Sequence, residues 1–373
     1  MNSGYIYFDN AATTYPKPEE VKQALFECVE RYCANPGRST HRMALRSSEA
    51  VYEVRELISE FIGCELADRI VFETNATYAL NTAIRGLVNH KCHVITSDLE
   101  HNSVLRPLYR AQREYGCEIS SYRSDNSIRE SITEVIRDDT EFIVTSIASN
   151  VTGRVTDIES LSEIASERGI KLIIDASQYI GHFSVNVKKT PIDVLCAPGH
   201  KALFGIQGSG FMYVRDGLNF PTLVDGGGGS DTFNSEMPEY LPERFEAGTL
   251  NTPAIVSLGA GIKFITSLGE ENIKKKIESL TSLLKDVLVM NDADIYGCNN
   301  GIASFSLRGI SPSRLSVMLD EYGIATRSGL HCAPLVHKRL GTEKSGLVRV
   351  SLSIMNNENE LDRFSETLKK IRK

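Results

Sequence analysis

The 373-residue sequence contains no run of about 18 consecutive apolar residues, the length that a membrane-spanning helix requires. Its first ten residues also lack the charged and then apolar pattern of a secretory signal peptide. Apolar and charged residues make up 41% and 24% of the chain, as in ordinary soluble globular proteins. We therefore expect a cytoplasmic protein that does not associate with a membrane.

Charge and cysteine show no special pattern either. The formal net charge of -7 is spread along the chain without acidic or basic runs, so neither a nucleic-acid groove nor a basic membrane-binding patch is predicted. The cysteines include no Cys-x-x-Cys pair and no zinc-ligand spacing, so we expect no metal site. Most of them stand in apolar or helical contexts, where a reduced thiol behaves as a small hydrophobic side chain.

The length predicts more than one domain, because a single hydrophobic core stops growing at roughly 250 to 300 residues. Between about residues 69 and 214, short β-rich runs alternate with helical patterns. The runs are nearly continuous apolar segments, which is typical of parallel strands covered by helices on both faces. The predicted strands are Arg69–Glu73, His93–Ser97, Glu141–Ala148, Lys171–Asp175, Asp193–Cys196 and Phe211–Val214.

After about residue 257 the pattern changes to a long amphipathic helix, a strand, a helix that begins near Pro312, further strands and a terminal helix from about Asn357. This pattern predicts a separate α+β domain, and the first 20 residues are expected to pack against it. The predicted fold class is α/β. Residues 21–256 form a large domain on a mostly parallel, doubly wound sheet, and residues 1–20 and 257–373 form a smaller α+β domain.

Polar residues lie at or just after several predicted strand ends, where doubly wound sheets bind their ligands. They are Thr77, His101, Asn150 and the segment Asp175–Gln178. Taken singly, each has an ordinary structural explanation: Thr77 or Asp175 as a helix cap, Asn150 as a turn residue and His101 as a polar loop histidine.

The most informative segment is Ala197–Val214, in which Lys201 follows a strand end in nearly uncharged surroundings. Partial burial would lower the pKa of this amine and suit it to form an imine. Asp175 ends an apolar strand earlier in the chain. A lysine and a carboxylate at neighbouring strand ends meet the needs of pyridoxal 5′-phosphate (PLP), because an acid keeps the pyridinium nitrogen protonated so that the ring serves as an electron sink.

These motifs occur in an order that resembles the class V aminotransferases of PLP fold type I, from Asp9-Asn-Ala-Ala-Thr to Ser351. Within that family the chain resembles the short-loop cysteine desulfurases and selenocysteine lyases, since Thr326–Leu335 is similar to their Arg-x-Gly-x-His-Cys-Ala signature. The resemblance implies a homodimeric PLP enzyme that acts on L-cysteine or L-selenocysteine. It also implies an acceptor protein for the sulfur or selenium.

The resemblance assigns cofactor contacts to particular residues. It implies that Lys201 forms the Schiff base, that Asp175 pairs with the pyridinium nitrogen, and that His101 stacks on the ring as part of the catalytic set. The phenolic oxygen would be contacted by Gln178 and Asn150. The implied residues around the phosphate are Ala76, Thr77, His200 and Thr249, the last from the segment 244–252 that reaches into the active site of a second chain.

The chain departs from the family pattern at the phosphate site. Pro198 stands where relatives commonly have Ser or Thr, and Ala76 and Tyr78 replace residues that are often Thr and Glu. One phosphate hydroxyl is therefore expected to be missing. Leu330 likewise stands where relatives often carry a second histidine.

Substrate contacts are implied in the same way. Cys332 occupies the nucleophile position in a glycine-containing loop, and a free thiol with a pKa of about 8.5 needs local help to ionise at neutral pH. Arg349 matches the arginine that clamps the substrate α-carboxylate, a task that suits guanidinium geometry. Asn150, Ala12 and Arg327 complete the implied substrate site, although a surface salt bridge would explain Arg327 equally well.

The sequence thus predicts a PLP-dependent enzyme that converts L-cysteine to L-alanine and leaves a persulfide on Cys332. The first alternative is a class V aminotransferase or carbon–sulfur lyase in which Cys332 is incidental. The second is a PLP-binding or sulfur-relay scaffold with little turnover, suggested by Pro198 and Ala76. Product analysis separates these alternatives.

Overall fold

The computed structural model of the chain describes residues 4–37, 39–229 and 231–372. The strands are β1 (Ile6–Tyr7), β2 (Ile70–Glu73), β3 (His93–Ser97), β4 (Glu118–Tyr122), β5 (Thr140–Ser146), β6 (Lys171–Asp175), β7 (Val194–Pro198), β8 (Gly210–Val214), β9 (Asp294–Asn299), β10 (Ile302–Ser306), β11 (Ile324–Ala325), β12 (Arg327–Gly329) and β13 (Leu347–Ser351). The helices are α1 (Glu19–Arg31), α2 (Arg42–Phe61), α3 (Ala76–Leu87), α4 (Asn102–Tyr115), α5 (Ile128–Thr133), α6 (Ile158–Arg168), α7 (Thr252–Leu268), α8 (Glu270–Met290), α9 (Pro312–Glu321), α10 (Pro334–Leu340) and α11 (Glu358–Ile371).

A seven-stranded sheet forms the centre of the molecule, in the order β2-β8-β7-β6-β5-β3-β4. The strands from β7 to β4 in this order pair in parallel, and only β8 runs antiparallel to its neighbours. The six predicted strands are all present, which confirms the mostly parallel sheet. The prediction missed β4, because this edge strand has the sequence Glu-Ile-Ser-Ser-Tyr and no continuous apolar run.

Helices cover both faces of this sheet. Successive residues of β6 point to opposite faces, so Ile174 packs in a core with α2, α6 and α7, whereas Ile173 packs in a second core with α3 and α4. Both side chains are fully buried. This two-sided burial is the reason that the strands read as apolar runs and confirms the doubly wound arrangement.

The parallel strands bring their carboxyl ends to one edge of the sheet. Asp175 is the last residue of β6, Ser146 is the last residue of β5, and Lys201 follows the end of β7 by three residues. The segment Lys201–Gly205 is held against α7 at Gly261, where a Cβ atom would lie 2.0 Å from the Leu203 carbonyl oxygen. Only glycine permits this close approach, which fixes the lysine segment against the body of the protein.

A second sheet, β12-β13-β10-β9, is antiparallel and packs with α8, α9 and α11 around a third core. Ile6 and Phe8 belong to this core, and β1 pairs in parallel with β11. The predicted long helix after residue 257 is two helices, α7 and α8, which meet at an angle of 85°. The cause is Gly269 between them, whose φ of 80° no helix accommodates.

The predicted domain boundary at residues 256 and 257 lies inside α7, which packs against α1 and α2. The boundary itself remains a prediction. Among the described residues no single helix is long and apolar enough to cross a membrane, and the bent pair α7 and α8 meets that test by length and composition alone.

Candidate active site

A cavity of about 190 Å³ opens at the carboxyl edge of the large sheet, between that sheet and the antiparallel sheet. Twelve of the predicted catalytic, cofactor-binding and substrate-binding residues line it: Ala12, Ala76, Thr77, His101, Asn150, Asp175, Gln178, His200, Lys201, Arg327, Cys332 and Arg349. Pro198 lines it as well. The fold therefore brings side chains from eight separate segments of the chain to one cavity. The roles of these residues remain predictions.

Lys201 lines this cavity. Burial lowers the pKa of its amine to about 8, while Asp175 acts in the opposite direction and Arg349 and Arg327 lower the pKa further. A lysine of pKa about 8 is partly neutral at physiological pH, and the neutral amine is the form that attacks an aldehyde. The Lys201 carbonyl oxygen accepts a hydrogen bond from the Thr14 hydroxyl (2.8 Å), which ties the lysine segment to the N-terminal segment.

Asp175 is buried, with one carboxylate oxygen accepting from the Ser177 amide (2.9 Å). Its other oxygen lies 3.5 Å from the Ser146 hydroxyl, which also contacts Glu100 at 2.7 Å. Glu100 is completely buried, and this burial raises the pKa of its carboxyl group. Hydrogen bonds from Ser97, Ser146 and Thr145 lower the pKa but have the smaller effect. A second carboxyl group is thus linked to Asp175 through Ser146, and the sequence analysis did not single it out because a lone glutamate beside a histidine carries no functional signal of its own.

The phosphate end of the predicted cofactor site lies at the start of α3. Asn75 caps this helix by accepting from the Tyr78 amide (3.1 Å), and Ala76 and Thr77 form its first turn, where free N–H groups favour an anion. His200 faces the same cavity. Burial lowers its pKa to about 4, so the ring is neutral, and its Nδ1 atom is buried without a hydrogen-bond partner among the described residues.

His101 is the N-cap residue of α4. Its Nδ1 atom accepts from the Ser103 amide (3.0 Å) and contacts the Ser103 hydroxyl (2.9 Å). Burial lowers the pKa of His101 to about 4. Ser103 lines the cavity too but was not predicted, because a serine at the second position of a helix carries no functional signal in the sequence.

Arg349 is fully buried in β13 and reaches the cavity. It donates to a carboxylate oxygen of Asp9 (2.7 Å) and to the Asn150 carbonyl oxygen (3.1 Å), whereas its Nε atom has no partner among the described residues. Asp9 is placed here by a β-bridge to Ser351. The guanidinium is therefore held in position with donors still free for a carboxylate.

The loop that carries Cys332 has an unusual backbone. His331 and Cys332 have φ angles of 49° and 57°, which non-glycine residues adopt only when the surroundings enforce them. The surroundings do so here. The Asn150 side-chain amide donates to the His331 carbonyl oxygen (2.6 Å), and the Asn102 backbone N–H donates to the Cys332 carbonyl oxygen (2.7 Å). The result is an exposed Cys332 thiol beside a His331 ring that is turned inward and buried.

The remaining predicted residues differ in their surroundings. The Gln178 side chain donates to the Ala11 carbonyl oxygen (2.9 Å). Arg327 forms no ion pair with any carboxylate in the described parts of the chain, so the salt-bridge explanation finds no support there. Thr249 lies in a different cavity of about 210 Å³, together with Thr74 and Tyr78, and is not brought to the first cavity by its own chain. No cluster of described His, Cys, Asp or Glu residues could hold a metal ion.

Comparison with known proteins identifies the family of the chain. The model of the aminotransferase class-V family matches residues 6–364, so the chain belongs to that family. It is 33% identical to a probable cysteine desulfurase of Methanothermobacter thermautotrophicus and 32% identical to one of Pyrococcus abyssi, in each case over 98% of this chain and 94% of the relative.

Solved structures give the same result for the fold. The apo structure of a cysteine desulfurase from Thermococcus onnurineus NA1 superimposes with a TM-score of 0.91 at 30% identity, over 98% of this chain and 94% of that one. A cysteine desulfurase of Escherichia coli shares the fold with a TM-score of 0.87 at 23% identity, over 99% and 95% of the two chains. The predicted family and fold type are thereby confirmed.

Proposed function

We propose that this protein is a PLP-dependent cysteine desulfurase, which converts L-cysteine to L-alanine and transfers the sulfur to Cys332 as a persulfide. The observation that carries the proposal is that Lys201, Asp175, Arg349 and Cys332 line one cavity. An aminotransferase would also need Lys201, Asp175 and Arg349. A thiol beside them, Cys332, is needed only in a reaction in which sulfur is captured. The cysteine desulfurases among the relatives support the same assignment.

The residues of the cavity fit PLP. Lys201 would hold its aldehyde carbon, Asp175 its pyridinium nitrogen, and the first turn of α3 with His200 its phosphate. The unpartnered Nδ1 atom of His200 provides a buried polar group that a phosphate would satisfy. When bound, PLP supplies an electron sink for the bonds broken at the substrate α-carbon.

The residues of this chain then divide the work. Arg349 orients the substrate α-carboxylate, and the substrate amino group displaces Lys201 from the aldehyde carbon. Lys201 in its neutral form then takes the α-proton, and the Cys332 thiolate attacks the substrate sulfur. A sulfur–sulfur bond forms as the carbon–sulfur bond breaks. The bonding electrons stay with the β-carbon, which takes up the proton lost from the Cys332 thiol and becomes the methyl group of alanine, and Lys201 returns a proton to the α-carbon. Cysteine and the Cys332 thiol thus give alanine and the Cys332 persulfide, with no external oxidant or reductant.

The same cavity would accept L-selenocysteine, and the exposed position of Cys332 lets an acceptor thiol reach the persulfide. The test of the proposal is product analysis with purified holoenzyme on L-cysteine and L-selenocysteine. A desulfurase yields alanine in equal amount to released or bound sulfur. Pyruvate and sulfide would identify a carbon–sulfur lyase instead, and a keto acid that retains sulfur would identify an aminotransferase.

The pKa of Lys201 predicts how the apoenzyme takes up PLP. Since only the neutral amine attacks the aldehyde, and the pKa is lowered to about 8, the rate of covalent attachment should rise with pH through a midpoint near 8 and level off above it. Borohydride trapping at a series of pH values, followed by peptide mapping, measures this rate. Lys17 is the internal comparison, because burial lowers its pKa to about 8 as well, but its amine is engaged by Thr14 and the His200 carbonyl oxygen. A label on Lys17 in place of Lys201 would overturn the assignment.

We further propose that the active form is a homodimer in which Thr249 contacts the cofactor phosphate of the partner. Support comes from the position of Thr249 outside the cavity of its own chain. Sedimentation velocity should then show a dimer at concentrations where the enzyme is active. Thr249→Ala should weaken PLP binding while the protein remains a dimer. Full activity in a monomer fraction would exclude the shared site.

A further inference from the structure

Ser103 occupies a position between two predicted cofactor contacts. It is the second residue of α4 and is buried, yet it lines the cavity. Its hydroxyl lies 2.8 Å from the Thr77 hydroxyl and 2.9 Å from Nδ1 of His101, and its amide lies 3.0 Å from the same Nδ1 atom. Ser103 therefore links the Thr77 hydroxyl in α3 to the His101 ring at the start of α4.

The Ser103 backbone amide fixes how His101 takes part in these contacts. A backbone amide can only donate, so Nδ1 of His101 accepts and carries no proton. Toward this unprotonated Nδ1 atom the Ser103 hydroxyl can act only as a donor, which uses its only proton. In that arrangement Thr77 is the donor in the contact between the Thr77 and Ser103 hydroxyls. The order is Thr77 to Ser103 to His101.

The acceptor role of Nδ1 decides the tautomer of the neutral imidazole. With Nδ1 an acceptor, the neutral ring carries its proton on Nε2, and Nε2 has no hydrogen-bond partner in the described parts of the chain. Protonation of the ring would place a second proton on Nδ1, facing the Ser103 amide. The charged groups that act on the ring from neighbouring elements are Asp175, which favours protonation, and Lys201, Arg327 and Arg106, which oppose it.

We propose that Ser103 is a positioning residue, whose hydroxyl relays the hydrogen bond of Thr77 and holds His101 as the neutral tautomer with its proton on Nε2. His101 then offers a donor to the bound substrate and cannot accept the α-proton, so that proton falls to Lys201. This division of roles rests on the proposed function, whereas the hydrogen bonds that fix the tautomer do not.

The test is hydrogen–deuterium exchange at the imidazole C2 position in the apoenzyme, followed by peptide mass spectrometry across a pH series. The exchange midpoint of His101 reports its pKa. Ser103→Ala removes one donor to Nδ1 that stabilises the neutral ring, so the midpoint should rise by about 0.4 to 1 pH unit. Ser103→Thr, which keeps the hydroxyl, should restore the wild-type midpoint. In the holoenzyme the acid limb of the turnover profile should move in the same direction with Ser103→Ala.

The chain offers a matched control in Ser120, whose hydroxyl lies 2.8 Å from Nε2 of His93 away from the cavity. Ser120→Ala should alter the His93 midpoint and leave that of His101 unchanged. Ser103→Cys, with a weaker donor of similar size, serves if the alanine variant does not fold. Equal His101 midpoints in wild type and a folded Ser103→Ala or Ser103→Cys protein would refute the proposal. The exchange midpoints are measured without cofactor or substrate. They therefore test the role of Ser103 even if the desulfurase assignment fails.

Discussion

Replacing Cys332 by alanine should abolish sulfur release from L-cysteine while leaving cofactor and substrate binding intact. Neither binding step uses the thiol, whereas sulfur capture depends on it entirely, so turnover should fall by about a hundredfold or more. The measurement is alanine formation alongside the absorption spectrum of the enzyme with and without L-cysteine. Cys332 is exposed, so the substitution leaves the fold unchanged.

The matched control is Cys33→Ala, which removes another exposed thiol outside the cavity and should retain full activity. L-Selenocysteine gives a second comparison, because its weaker carbon–selenium bond lets selenium leave without a nucleophile. The Cys332→Ala enzyme should therefore keep part of its selenocysteine activity. Alanine formation at the wild-type rate in this variant would exclude Cys332 as the sulfur acceptor, and pyruvate with sulfide as the products would instead identify the carbon–sulfur lyase.

Replacing Arg349 by alanine should raise the KM for L-cysteine by roughly 30- to 5,000-fold. This range corresponds to the loss of about 2 to 5 kcal/mol when one partner of a desolvated, hydrogen-bonded charge pair is removed. Covalent PLP attachment to Lys201 should persist, since Arg349 does not take part in it. Steady-state kinetics and borohydride trapping measure the two effects separately.

Because Arg349 also pairs with Asp9 inside the protein, Arg349→Lys is a necessary companion. It keeps the charge but loses the fork of donors, so it should fold and still show a raised KM. Arg339→Ala is the control for a lost ion pair, since Arg339 pairs with Asp98 outside the cavity. An unchanged KM in both Arg349 variants would move the carboxylate site elsewhere.

Much of the large sheet was predictable because its strands are buried on both faces and therefore read as apolar runs. The edge strand β4 was not, because its exposed side chains follow no such pattern. The site residues were predictable to the extent that they lie in ordered sequence motifs at strand ends. Lys201, Asp175 and Cys332 belong to such motifs, and the fold places all three around one cavity.

The supporting contacts could not be predicted, since each joins residues far apart in the chain. Asp9 meets Arg349 through a β-bridge between the two ends of the sequence, and the Ser103 hydroxyl meets Thr77 across two helices. The expected loss of a phosphate hydroxyl at Pro198 remains a prediction.

The measurement that tests the account most directly is the mass of the Cys332 peptide after a single turnover. Holoenzyme mixed with an equal amount of L-cysteine and quenched with an alkylating agent should carry one added sulfur atom on Cys332, in equal amount to the alanine formed. Cys196 is the comparison, because it is buried in β7 and should remain unmodified. Alanine formed without added sulfur on Cys332, or sulfur found on another cysteine, would contradict the persulfide mechanism.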